Sequence, residues 1–192
     1  MFRHLANDRS RTGAIAAEIR NALDQGRKVL VLTERTEHLN AIQAALGAEA
    51  PVPFVLHGRM SRKQRATLIA ELDALPPDAP RILLATGKLV GEGFDHPPLD
   101  TLVLAMPVSW KGTLQQYAGR LHREHANKAS VRIIDFVDAG HSALLRMWDK
   151  RQRGYRTMGY RIAEAQTVMQ ANASVDTSER ALIDAPDGKK TG

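Results

Sequence analysis

The sequence contains no cysteine, so neither a disulfide nor a thiolate-bound metal can hold the fold. No apolar run approaches the ~20 residues of a membrane span. The first stretch, MFRHLANDRSR, lacks the apolar core of a signal peptide. A soluble, cytoplasmic protein without a membrane partner is the expectation. Internal repeats and low-complexity tracts are absent. Two glycine fingerprints are missing as well: no strand is followed by G-x-G-x-x-G, and G-x-x-x-x-G-K-[ST] occurs nowhere in the 192 residues. The first absence argues against a dinucleotide enzyme, and the second leaves the chain without a phosphate cradle of its own. The composition is that of a globular domain, with 43% hydrophobic and 25% charged residues. Lysine and arginine outnumber acids 27 to 21, a formal charge of +6. That excess suits a polyanion partner, and a solvated basic surface accounts for it equally well.

Apolar periodicity organises the chain. Ile15, Ile19 and Leu23 predict a helix over 11–25 that Gly26 stops, and Leu39, Ile42 and Leu46 predict another that Gly47 stops. SRKQ at 61–64 reads as a capping box opening a helix through Leu68, Ile69 and Leu72, which dies in PPDAP. Short apolar runs at 28–33, 52–58, 81–86, 101–106 and 131–137 read as buried strands. Segments 113–122 and 141–150 read as further helices. Strands alternating with helices imply an α/β domain of three layers, a mainly parallel central sheet flanked by helices. This domain is expected over 1–163. From 164 to 192 large apolar residues thin out, and a flexible tail is expected. In such sheets ligands gather at the carboxyl ends of strands, here after Thr33, Leu56, Thr86, Met106 and Val137.

Two stretches carry chemistry. In QQYAGRLHRE (115–124), Gln116, Arg120 and Arg123 fall within roughly a 60° sector if the helix runs through them. Leu114, Tyr117, Ala118 and Leu121 form a separate apolar stripe. Guanidinium forks suit phosphate oxygens, and Gly119 beside them leaves room for another surface to approach. An ordinary solvated helix face fits the same pattern. ATGKLVGEGFDHPPLD (85–100) ends a strand and places glycines at 87, 91 and 93. Glycines let backbone N–H groups approach a phosphate or sugar, and Asp95 can accept from ribose hydroxyls. A turn-rich connection fits this stretch too.

Taken together, ILLATGKLVGEGFDHP followed by QQYAGRLHR resembles motifs V and VI of superfamily 2 helicases. VLVLTER resembles motif IV, LHGRMSRKQR agrees with the same order, and the resemblance covers about residues 10–160. The chain is similar to the second RecA-like domain, of the P-loop NTPase type, in restriction-subunit-like and DEAD/DEAH-like helicases. That resemblance implies that Arg120 and Arg123 reach the ATP γ-phosphate across an interdomain cleft, Arg123 being the first choice for an arginine finger. It implies that Gln116 helps position the nucleotide, with Gly93 and Asp95 near ribose and phosphates. Thr33, Arg35, His57, Gly58, Thr86 and Lys88 would form a nucleic-acid surface that grips the backbone, DNA being preferred to RNA.

No Walker A sequence and no D-E-x-H or D-E-x-D follows a strand, and Asp135 in IIDFVD reads as structural. The expectation is half an ATP site, inactive alone. Its Mg²⁺ would be held mainly by an N-terminal RecA-like domain supplied by the same protein or a partner chain. The alternative is a non-catalytic nucleic-acid-binding or regulatory module. Smaller features point less far. His122 and His125 lack a third metal ligand, so no metal site is expected. RMWDKRQRGYRTMGYR (146–161) either stacks bases or anchors its aromatics in the core. Thr113, after Lys111 and Gly112, suits a helix N-cap.

Overall fold

Val29–Thr33 forms β1, a strand buried along its whole length, and the sheet is built outward from it. β1 pairs in parallel with β3 (Ile82–Thr86) on one side and with β4 (Thr101–Leu104) on the other. β2 (Phe54–Leu56) extends the sheet beyond β3, and β5 (Arg132–Asp138) extends it beyond β4, again in parallel. The computed structural model describes residues 2–87, 94–108, 114–123, 128, 130–138, 140–163, 166–167 and 178–185.

Alternating side chains of the strands feed two cores, which is why the runs read as continuously apolar. Leu30, Leu32, Leu83, Leu102 and Leu104 pack beneath α4 (Arg62–Asp73), α5 (Gln115–Leu121) and α6 (Ser142–Thr157). Val29, Val31, Leu84 and Val103 pack beneath α2 (Arg9–Asp24) and α3 (Thr36–Leu46). The expected three-layer arrangement therefore holds. Local signals hold with it: Ser61 and Gln64 close a capping box on α4, and Gly26 and Gly47 adopt φ +73° where α2 and α3 end.

Three features depart from the sequence reading. A short helix, α1 (Phe2–Asn7), precedes α2 and packs Leu5 and Ala6 against Met106 and Leu144. Helix α6 runs to Thr157 instead of 150 because Trp148, Arg151 and Tyr155 continue its buried stripe through a charged stretch. The C-terminal segment is not wholly a tail. β8 (Ser178–Asp184) inserts antiparallel between β5 and β6 (Arg161–Ile162), and β7 (Gln166–Thr167) pairs with it, giving eight strands among the described residues. Ala181 and Ile183 are fully buried in one core and Leu182 packs partly buried against the other, so a three-residue apolar run suffices where a neighbouring strand supplies the rest.

Buried charges tie helices to the sheet. Asp135 on β5 accepts from Arg151 Nε at 2.7 Å, Arg151 Nη2 at 3.0 Å and the Tyr155 hydroxyl at 3.0 Å. Arg151 Nη1 also donates to Val108 O at 3.2 Å. Burial works to lower the Arg151 pKa, but the Asp135 carboxylate more than offsets it and the net shift is upward. Asp135 is thus a structural anchor, as expected. On the other face Arg11 of α2 pairs with Asp138 and donates to Ala105 O and Phe136 O, pinning α2 across the ends of β4 and β5.

Candidate functional site

Two groups of candidate residues lie at opposite ends of the sheet. At the carboxyl ends the strand order β2-β3-β1 brings three loops side by side. Thr33 and Thr86 are paired across β1 and β3, while His57 and Gly58 follow β2 immediately. Arg35 occupies the N-cap position of α3. The topology therefore gathers Thr33, Arg35, His57, Gly58 and Thr86 along one rim, although they are scattered over more than fifty residues of sequence.

Their exposures differ. Arg35 is half-exposed and pairs with Glu37 at 3.5 Å, Gly58 is exposed, and Thr86 and His57 are half-buried. Thr33 is only 1% exposed, and its hydroxyl hydrogen-bonds His38 Nδ1 at 3.0 Å. Its side chain supports the rim from below. His38 is itself fully buried, its Nε2 has no partner among the described residues, and burial followed by repulsion from Arg11 lowers its pKa to about 4. It is neutral at physiological pH.

The second group, Asp95 and Arg123, lies at the amino ends of the strands, beside the C-terminus of α5, whereas Gln116 sits in the first turn of that helix. Leu114, Tyr117, Ala118 and Leu121 are buried as the periodicity predicts, and Gln116 is exposed. The space that a Cβ on Gly119 would occupy is open. Helix α5 ends at Leu121, however, so Arg123 lies beyond it and the shared helical sector does not extend to it. The turn is closed by Lys128, whose Nζ donates to Leu121 O at 2.7 Å and Arg123 O at 3.0 Å, satisfying carbonyls at the helix end.

From that turn Arg123 pairs with Asp95, joining the two sequence motifs by direct contact. The pair is accessible, with side-chain exposures of 59% and 35%. Asp95 follows Phe94, which is buried in the core, and precedes His96, which bonds Arg81 just before β3. Residues 94–96 thus lie near the amino end of β3. The expectation that the site would collect at the carboxyl ends fails for this pair.

Arg120 lies on α5, its side chain outside the described residues. Lys88 and Gly93 fall outside them, as do Lys111, Gly112, Thr113 and His125. Among the described residues no group of three or more His, Cys, Asp or Glu side chains is placed to hold a metal ion. No described helix is long and apolar enough to cross a membrane. The aromatic stretch resolves in favour of the core: Trp148, Tyr155 and Tyr160 are buried and pack edge-on or tilted against one another.

Sequence reasoning missed Arg11, His38 and Arg151, yet a signal was present. Arg11 is in helical phase with Ile15 and Ile19, His38 with Ile42 and Leu46, and Arg151 with Leu144, Trp148 and Tyr155. A polar or charged group inside an apolar stripe is one that folding must pair or neutralise.

The helicase conserved C-terminal domain matches residues 14–125, more than half of the chain and inclusive of both motif stretches. The chain belongs to the helicase conserved C-terminal domain family. It is 36% identical over 98 residues to the uncharacterized protein 108L of Invertebrate iridescent virus 3, which is 50% of this chain and 88% of that protein. It is 24% identical over 139 residues to the probable helicase D10 of Escherichia phage T5, covering 72% of this chain and 30% of the phage protein. Among solved structures, T4 UvsW superposes with a TM-score of 0.59 at 18% identity, over 81% of this chain and 34% of UvsW. The helicase domain therefore has the RecA-like fold, and it spans about a third of the length of the phage helicase and of UvsW.

Proposed function

We propose that this domain is the second RecA-like half of an ATP-dependent superfamily 2 helicase or translocase, presenting its amino-end face to a first RecA-like domain. The observation that carries this reading is the accessible Asp95–Arg123 pair, which joins the two motif stretches by direct contact. A guanidinium held by one half-exposed carboxylate is poised for exchange, because a triphosphate oxygen offers the same fork of acceptors with more charge. Arg123, assisted by Arg120, would stabilise charge developing on the transferred phosphoryl group, and Asp95 and Gln116 would orient the nucleotide. Mg²⁺ would rest mainly on carboxylates of the first domain. The rim at the carboxyl ends would grip a nucleic-acid backbone, DNA in preference to RNA, through Arg35, His57, Gly58, Thr86 and Lys88, with Thr33 beneath them.

ATP hydrolysis measured on mixing the chain with a cognate first domain and oligothymidylate tests this. Turnover is expected only from the mixture, and robust turnover by the chain alone would defeat the reading. A second reading, a nucleic-acid-binding module without hydrolysis, is favoured by the viral relative, whose match already fills 88% of its length. No gain of turnover on mixing, together with tight oligonucleotide binding by the chain alone, would select it.

A further inference from the structure

We propose that Lys128 is the positioning residue of Arg123, clamping the backbone from which the guanidinium reaches out and keeping a second positive charge near Asp95. The proposal rests on the reading of Arg123 as the arginine presented to the first domain, and adds what holds it there. Helix α5 stops at Leu121, so the carbonyls of its last turn lack donors within the helix. The Lys128 ammonium supplies one, donating from Nζ to Leu121 O at 2.7 Å and to Arg123 O at 3.0 Å. Leu121 is 2% exposed and packed in the core, so the first bond ties the ammonium to a rigid point. The second bond ends on Arg123 itself. Lys128 thus bridges a core residue and the residue whose guanidinium pairs with Asp95.

The chemistry of an ammonium suits both parts of this role. It carries three N–H donors and no acceptor, so it can serve two carbonyls at once. Charge-assisted bonds are roughly twice as strong as neutral ones, an advantage in a turn whose arginine side chain is more than half exposed. The cost is desolvation: burial lowers the Lys128 pKa, while attraction to Asp100 and then to Asp95 works to raise it. Asp95 is therefore attracted by two cations, Arg123 in direct contact and Lys128 at longer range. The two bonds of the ammonium end on backbone carbonyls, so they survive when a triphosphate draws the Arg123 guanidinium away from Asp95. The turn stays closed during that exchange, and the carboxylate keeps a cation nearby.

Hydrogen exchange at Arg123 Nε, followed by nuclear magnetic resonance on the chain as it stands, tests this without nucleotide or second domain. Asp95→Asn is expected to speed that exchange by about two- to fivefold, the factor of one exposed ion pair. Lys128→Met keeps the stem but removes donors and charge, and is expected to reproduce the acceleration. Lys128→Arg, whose guanidinium can again donate to two carbonyls, should restore the wild-type rate. Should Lys128→Met fail to fold, Lys128→Gln, shorter and uncharged, must loosen Arg123 in the same direction. In the assembled two-domain enzyme, Lys128→Met is expected to lower kcat about tenfold while KM for ATP stays within about twofold, the signature of an interaction made in the transition state. Unchanged Arg123 exchange in a folded Lys128→Met protein, even one with a lowered Tm, would overturn the proposal and leave Lys128 an ordinary helix cap. A wild-type kcat in that variant, where Arg123→Ala is inactive, would overturn it too. If instead Lys128→Met speeds the exchange while Arg123→Ala still hydrolyses ATP normally beside the first domain, the positioning stands and the proposed function falls.

Discussion

The two ends of the sheet differ in how their candidate residues are held. At the carboxyl rim, residues are placed by backbone topology: three parallel strands stop side by side and their next residues line up. Beneath them Thr33 and His38 are buried and hydrogen-bonded to each other. At the amino end, placement depends on side-chain chemistry, with Asp95 and Arg123 meeting across two loops. A rim set by topology suits a ligand whose repeating phosphates need no fixed register. A pair set by hydrogen bonds suits chemistry that depends on the direction of one guanidinium. Under the proposed function, the first arrangement would serve the polymer and the second the nucleotide.

That division can be broken by substitution. In the reconstituted two-domain enzyme, Arg123→Ala is expected to lower ATP turnover by roughly 10³–10⁵, as arginine fingers do elsewhere. Asp135→Ala should damage both ends together, because it strands the buried Arg151 guanidinium. A loss of about 3–5 kcal/mol in denaturant unfolding is expected, and the double change Asp135→Leu with Arg151→Met should cost less than the single one.

A smaller effect is expected from pH. The His38 pKa falls from 6.5 to about 4 on folding, so the unfolded chain takes up a proton that the folded one refuses. Stability from this residue is complete above pH 6.5 and is lost progressively as pH falls towards 4, by about 3 kcal/mol in all. Unfolding curves across that window check it, and His38→Gln should flatten the dependence. The smallest effect belongs to the rim: Arg35→Ala should weaken oligothymidylate binding a few-fold and reduce its salt slope by about 0.7, the value for one single-strand phosphate contact.

Much of this architecture was legible in the sequence. Continuous apolar runs gave the parallel strands, and the Ser61–Gln64 box and the glycines after α2 and α3 gave the helix ends. β8 was hidden because a strand that borrows its core from β5 needs few large residues of its own. The pairing of Asp95 with Arg123 was visible only as two neighbouring motifs. Their contact depends on where the buried Phe94 and His96 anchor Asp95 and on a helix that stops at Leu121, and local pattern records neither. The buried Arg11, His38 and Arg151 could have been found, since each breaks an apolar stripe in phase.

The most direct test of separate grip and trigger is one sample measured twice. Arg123→Ala, assembled with the first domain, is assayed for ATP turnover and for oligothymidylate affinity under the same salt. The account predicts that turnover collapses while affinity stays within about twofold, since the substitution removes no phosphate contact from the rim. Turnover at the wild-type rate, or a parallel collapse of both in a folded protein, would contradict it.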